Sequence, residues 1–160
     1  MGKFGWFILG VVVGAAFCGG ETARAERYDG ERFDLFNRCR PVALGAGVVS
    51  DAQAGEIGLT EADLRVTAES RLRSARLYTA RAHEVLFIEV NVMGAAFSIE
   101  VSFFKKLFDP VSNQHGHAKT VTYGATGTHG GSGTYILQLL SKYIDQFIVD
   151  YLRVNEADCQ

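Results

Sequence analysis

The last third of the chain carries its strongest structural signal, a segment with one apolar helical face at residues 134–155. The apolar stripe consists of Ile136, Leu140, Tyr143, Ile144, Phe147 and Tyr151. The opposite face is polar and carries Gln138, Lys142, Asp145 and Arg153. Such a stripe could bind a membrane surface or a partner helix, but its commonest use is to cover the apolar face of a sheet. The segment therefore predicts a helix that packs on a sheet.

Two adjacent segments alternate between apolar and polar residues, which is the pattern of half-buried β-strands. The apolar positions are Leu86, Ile88, Val90 and Val92 in the first segment and Phe97, Ile99, Val101 and Phe103 in the second. The polar positions are Glu89, Asn91, Ser98, Glu100 and Ser102. One face of the predicted sheet therefore meets water. A last strand is predicted at residues 117–125, with Val121 and Tyr123 facing inward and Thr120 and Thr122 facing outward.

The remaining elements complete the fold class. A weakly alternating run at residues 42–50 predicts a first strand, and residues 60–77 predict a helix that starts with Thr60 and Asp63 at capping-box spacing. The buried face of this helix is expected to carry Leu64, Ala68, Leu72 and Ala75. The order β-α-β-β-β-α predicts an α+β two-layer sandwich, with two helices on one face of a four-stranded, mostly antiparallel sheet. The position of the first strand in the sheet stays open.

The N-terminus has the layout of a secretory signal peptide at residues 1–25. Lys3 precedes an apolar run at residues 4–17, and Ala23-Arg24-Ala25 predicts cleavage after Ala25. The apolar run is shorter than a usual spanning helix, so an uncleaved anchor is the alternative, and no transmembrane segment is expected after cleavage. Phe17 directly precedes Cys18, which excludes lipidation at that cysteine because a small residue is needed there. We expect a periplasmic or secreted protein.

The chain after Ala25 is predicted to be one domain at residues 42–160, preceded by a charged, aperiodic leader at residues 26–41. Without Lys3, Arg24 and Glu21 it has 14 basic and 17 acidic residues, a net charge of −3. This balance gives no indication of nucleic-acid binding, which requires a basic face.

Two cysteines remain after cleavage, one near each end of the domain. In an exported chain, Cys39 and Cys159 are best explained by one disulfide. Free thiols are the alternative, and the wide spacing does not indicate a redox-catalytic pair.

Histidines suggest a metal site at one end of the sheet. We call the end where the second strand begins the lower end, and the opposite end the upper end. The predicted topology places His83, His115 and His117 at the lower end, with Asp109 also possible as a ligand. Zinc or copper would suit these ligands. Exposed histidines without a special role explain the same residues, and His129 is too far away to join them because it follows the last strand.

The upper end is the other candidate site, and it would bind a ligand or a partner. The predicted topology collects Asp51, Thr128, His129 and Ser132 there, beside the N-termini of both helices, which attract anions. A glycine-rich loop that reverses the chain and caps a helix explains the same residues. Ser132 with His129 is the nearest approach to a catalytic pair, and no complete catalytic constellation is visible, so no enzyme is expected.

The C-terminal stretch TYGATGTHGGSGTYILQLLSKYIDQFIVDYLRVNEADC resembles the tail of small secreted proteins of uncharacterised function from Gram-negative bacteria. The resemblance implies no activity and assigns no site residue. By fold analogy alone, a sheet backed by two helices also resembles small periplasmic modules of envelope assembly machinery.

The expected function is a non-catalytic periplasmic or secreted module that binds a protein or an envelope component. Binding would use the upper end or the polar face of the sheet, and no cofactor is expected. The alternative is a periplasmic metal-binding protein that uses His83, His115 and His117.

Overall fold

The structure is a computed structural model that describes residue 30, residues 32–49 and residues 51–159. Its elements, in chain order, are β1 (Ala43–Val49), α1 (Asp51–Glu56), α2 (Glu61–Ser74), β2 (Val85–Met93), β3 (Ala96–Asp109), β4 (Gln114–Thr128) and α3 (Gly133–Val154). Residues 32–35 form one further helical turn. The predicted signal peptide lies outside the described residues.

The four strands form one sheet in the order β1-β2-β3-β4. β1 pairs with β2 in parallel, whereas β2–β3 and β3–β4 are antiparallel. The α+β prediction of a mostly antiparallel sheet is therefore confirmed. The structure also places β1, whose position the sequence left open, as an edge strand beside β2.

The core lies between the inner face of the sheet and the two long helices. All eight predicted apolar positions of β2 and β3 are buried, as are Leu64, Ala68 and Leu72 of α2. From α3, five residues of the predicted stripe are buried: Ile136, Leu140, Ile144, Phe147 and Tyr151. The Phe147 ring lies 5.4 Å from that of Phe103, so α3 packs directly on β3. Burial of each large apolar side chain stabilises the fold by roughly 1.5 to 3 kcal/mol.

β4 is longer at both ends than the predicted strand at residues 117–125, whereas β3 reaches Asp109, where the predicted topology also ends it. β3 continues to Asp109 and β4 begins at Gln114, with a register shift between Phe103 and Phe104. Val85, the first residue of β2, pairs with Phe104, so the hairpin extends past β2 at the lower end. The added residues at the start of β4, from Gln114 to Gly116, are exposed and carry no apolar alternation that could have revealed them.

The two ends of the described chain are joined at the lower end by a set of contacts that we call the terminal clasp. It consists of the Cys39–Cys159 disulfide, Tyr151 and Asn155. The disulfide is confirmed, with Cα atoms 5.1 Å apart. Buried Asn155 accepts hydrogen bonds at Oδ1 from the amides of Asn37 and Cys39, and its Nδ2 donates to the carbonyl of Leu35 at 3.1 Å.

Tyr151 adds a further bond to the terminal clasp, because its hydroxyl donates to the carbonyl of Arg40 at 2.6 Å. Burial raises the pKa of this hydroxyl well above its ordinary value, so it stays protonated as a donor. Leu35 is also part of the core. The second half of the predicted leader is therefore fixed to the domain.

Candidate functional site

The upper end is held together by hydrogen bonds of His129. This side chain is 8% exposed, and its Nε2 donates to the carbonyl of Gly94 at 2.7 Å. Its Nδ1 accepts from the amide of Gly131 at 3.0 Å. Both ring nitrogens are thus engaged within the protein, which leaves neither for a ligand or for proton transfer.

The other upper-end candidates also have structural partners. Ser132 is the N-cap of α3, and its hydroxyl accepts from the amide of Thr134 at 3.2 Å. Thr128 pairs with Ala96 at the end of β4, and Asp51 begins α1, although its side chain falls outside the described part of the structure. The reversal of the chain therefore explains His129, and the capping of α3 explains Ser132, so neither residue requires a ligand.

Replacing His129 with alanine is expected to lower the free energy of unfolding by about 1 to 3 kcal/mol, since it removes both hydrogen bonds of a nearly buried side chain, each worth about 0.5 to 1.5 kcal/mol. Urea denaturation followed by circular dichroism measures this change. The matched control is His115→Ala, an exposed histidine of β4 that should shift stability by less than about 0.5 kcal/mol. Equal effects of the two substitutions would contradict a structural role for His129.

The lower end brings two of the predicted metal ligands together, but not as ligands. His117 Nε2 donates to the backbone carbonyl of His83 at 2.7 Å. The ring of His115 lies 5.1 Å from that of Phe108. Among the described residues, no group of three or more His, Cys, Asp or Glu side chains is placed to hold a metal ion. The geometry therefore gives no support to the metal alternative.

Asp109, the fourth predicted ligand, serves the hairpin turn. Its Oδ1 accepts from the amide of Val111 at 2.9 Å and its Oδ2 from the hydroxyl of Ser112 at 2.6 Å. These hydrogen bonds, the Ser112 bond foremost, lower the pKa of the carboxyl group. Its oxygens are therefore occupied in closing the turn between β3 and β4.

The outer face of the sheet, opposite the helices, contains an apolar recess near the lower end. The recess is lined by Val85, Phe87, Phe104 and His117 and has a volume of about 310 Å³. The rings of Phe87 and Phe104 meet edge to face, with centroids 6.4 Å apart. Aromatic side chains on a solvent-facing sheet are unusual and are typical of interaction surfaces.

A glycine in β1 allows this recess to form. A Cβ atom on Gly45 would lie 2.6 Å from Phe87 Cδ2, so the phenyl ring occupies the space above a strand that has no side chain there. The signal for the recess was present in the sequence. Phe87 falls among the polar positions of β2, between the inward-facing Leu86 and Ile88.

Beside the recess, the middle of the outer face is a polar cluster. Lys119 Nζ donates to Glu100 Oε1 at 2.6 Å, and the hydroxyl of Ser102 donates to the same oxygen at 2.6 Å. The Lys119 bond, followed by that from Ser102, lowers the pKa of Glu100, so the carboxylate stays ionised. The outer face thus offers an apolar contact next to fixed polar groups.

A wider groove of about 680 Å³ lies between α2 and α3 on the opposite side of the molecule. Arg71 and Asp145 bridge it with an exposed ion pair, and Ser70, Ser74 and Ser141 line it. Exposed ion pairs contribute little binding energy, and the groove has no aromatic anchor. The outer face is therefore the better candidate site.

No protein-family model matches the chain, and no curated protein matches it in sequence. Two solved structures show weak similarity. A candidate lipoprotein from Caulobacter crescentus CB15 is 11% identical over 80% of this chain and 94% of its own, with a TM-score of 0.27. A minor lipoprotein from Acinetobacter baumannii is 11% identical over 74% of this chain and 90% of its own, with a TM-score of 0.22. Both scores are too low to establish a shared fold.

In the described ranges, no helix combines the length and the apolar character needed to cross a membrane. The disulfide indicates an oxidising, extracytoplasmic compartment.

Proposed function

We propose that this protein is a non-catalytic extracytoplasmic module that binds a protein or another envelope component through the outer face of its sheet. The observation that carries the proposal is the apolar recess between Phe87 and Phe104. A recess of this size accepts one apolar side chain or a group of similar size. The neighbouring Glu100 and Lys119 would orient the partner through polar contacts.

The non-catalytic part of the proposal is supported by the engagement of the candidate catalytic groups. His129 uses both ring nitrogens within the fold, and Ser132 caps a helix. The outer face presents an ion pair. Its serine and threonine hydroxyls also hydrogen-bond to one another, as those of Ser102 and Thr122 do at 3.2 Å. Polar side chains that are fixed in this way form a rigid surface suited to recognising a partner.

Site-specific photo-crosslinking in the periplasm of a Gram-negative host tests the proposal. A photoreactive residue replaces Lys106, which pairs with His117 beside the recess and is exposed. We expect a discrete adduct from this position. The matched control replaces Lys142, an exposed lysine on α3, and should give none.

A second substitution makes the result specific to the recess. Phe104→Ser should remove the adduct formed from position 106 while the protein keeps a cooperative unfolding transition. An adduct that survives Phe104→Ser, or one that forms only from position 142, would reject the outer face as the binding surface.

A further inference from the structure

The β3–β4 hairpin projects past the rest of the sheet at the lower end. β2 begins at Val85, which pairs with Phe104, and the ladder of β3 and β4 continues for five further pairs. We call residues 105–118, which form these pairs and the turn between them, the hairpin extension. At ~3.4 Å per residue, five strand positions carry it ~17 Å past the start of β2. None of its residues is buried, so the extension takes no part in the core.

Two large apolar side chains lie exposed at the tip of the hairpin extension. Val111, in the turn, is 94% exposed, and Phe108 is 52% exposed. The amide of Val111 serves the turn through Asp109, but its side chain projects into solvent. The ring of Phe108 meets that of His115, which is itself exposed. Neighbouring apolar side chains that the fold leaves exposed are typical of a surface that contacts a partner or a membrane.

The charge of the molecule is divided between its two ends. The segments that meet at the lower end are residues 32–42, 75–84, 105–118 and 155–159, and they contain seven basic and five acidic residues. At the upper end, the segment of residues 52–63 contains three acidic residues and no basic one. A field of this direction turns the lower end toward a negatively charged surface.

Lys106 places an ammonium group just behind the apolar tip. It lies two residues, ~7 Å, from Phe108 on the same face of β3. It is exposed and forms no ion pair with any described residue. Lys105 faces the other way, where its ammonium donates to the carbonyl of Phe33 and lies 5.4 Å from the centre of that ring. Lys106 is therefore the lysine of the hairpin extension that is available to an anion.

Asp109 is the one acidic residue in the sequence of the hairpin extension. Its oxygens accept hydrogen bonds from the amides of Val111 and Ser112 and from the hydroxyl of Ser112. The carboxylate is thus already supplied with donors by the turn. With two lysines and one aspartate, the hairpin extension keeps a net positive charge.

The length of the hairpin extension suits a bilayer surface. The headgroup layer on each side of the hydrocarbon core is ~5 to 8 Å thick. An extension of ~17 Å can cross this layer while the body of the domain stays in water. With Val111 and Phe108 at the edge of the hydrocarbon, Lys106 would lie ~7 Å further out, among the headgroups, where anionic lipids attract it. A protein partner would explain the apolar tip alone, whereas the division of charge and the reach of the hairpin favour a bilayer.

We propose that the lower end docks on an anionic lipid bilayer and that the tip of the hairpin extension, with Phe108 and Val111, inserts into its surface. This inference goes beyond the proposed function, because it uses the end of the hairpin rather than the recess. Phe104 of the recess lies four residues, ~14 Å, from Phe108 along β3.

A single tryptophan tests the insertion. Residues 26–160 include every described residue and contain no tryptophan, because the one tryptophan of the chain is Trp6. In this chain, Val111→Trp should fold normally, since the position is 94% exposed. With vesicles of equal parts phosphatidylglycerol and phosphatidylcholine, its emission should shift to shorter wavelength, and added salt should reduce the shift. The matched control is Met93→Trp, at an exposed position of the upper end, which should keep the emission of a tryptophan in water.

Co-sedimentation of the wild-type chain with the same vesicles establishes that the added indole does not cause the binding. Phe108→Ser removes apolar area and Lys106→Glu reverses a charge at the headgroups, so each should lower the partition coefficient at least ~10-fold. Lys142→Glu makes the same change of charge at an exposed position on α3 and should lower it less than ~3-fold. Phe104→Ser should leave vesicle binding unchanged, so this proposal and the proposed function can fail separately.

Three results would overturn the proposal. They are the absence of wild-type co-sedimentation at millimolar lipid, equal binding to vesicles of phosphatidylcholine alone, and a tryptophan shift at position 93 as large as that at position 111. A protein adduct from a photoreactive residue at position 111, without vesicle binding, would assign the hairpin tip to a protein partner instead.

Discussion

Replacing Asn155 with alanine is expected to lower the free energy of unfolding by about 3 to 5 kcal/mol. The residue is completely buried, and its amide bonds to three backbone groups of residues 35–39. Alanine would leave the amides of Asn37 and Cys39 and the carbonyl of Leu35 without partners. The loss therefore combines the missing bonds with the cost of polar groups that remain away from water.

Urea denaturation under non-reducing conditions measures this loss. The matched control is Glu156→Ala, because Glu156 is the next residue and is exposed. It should change the stability by less than about 0.5 kcal/mol. A loss below 1 kcal/mol in Asn155→Ala would show that residues 35–39 are held mainly by other contacts.

The double substitution Cys39→Ser with Cys159→Ser is expected to destabilise the domain by roughly 4 to 5 kcal/mol in the chain-entropy account of disulfides. The bond joins residues 120 positions apart, so its removal frees almost the whole chain in the unfolded state. An effect of this size is comparable to the net stability of many small domains.

Reductant provides the internal comparison for this prediction. The reduced wild-type chain should unfold at the same urea concentration as the double serine variant, and reductant should not change the variant. If the variant were as stable as the oxidised wild type, the hydrogen bonds of Asn155 and Tyr151 alone would be sufficient to join the two ends of the described chain.

The helices and strands that pack on the core could be predicted from the sequence, because the burial of one face makes apolar residues recur at the period of a helix or a strand. The paired segments of β2 and β3 follow their predicted faces residue by residue, and α3 buries five of the six residues of its predicted stripe. α1 has six residues and buries Ala54, too little for a periodic signal. The first residues of β4, from Gln114 to Gly116, were missed for the same reason, since they are exposed.

The candidate site was harder to predict because it depends on residues distant in the sequence. His129 was expected to face a ligand, but its Nε2 partner is Gly94, in the turn between β2 and β3. Only the observed pairing of Ala96 with Thr128 brings that turn beside the loop before α3. The recess likewise joins Phe87 to Gly45, which meet because β1 lies next to β2, a position that the sequence did not specify.

The disulfide of the terminal clasp has a topological consequence for the hairpin turn. From Cys39 along the backbone to Cys159 and back through the sulfur atoms, the chain is a covalent ring. A single cut between Asp109 and Gln114 would open this ring without releasing a fragment, and the β3–β4 ladder would keep the new ends side by side. The exposed turn is therefore a suitable place for a nick, an inserted peptide or the new termini of a permuted chain.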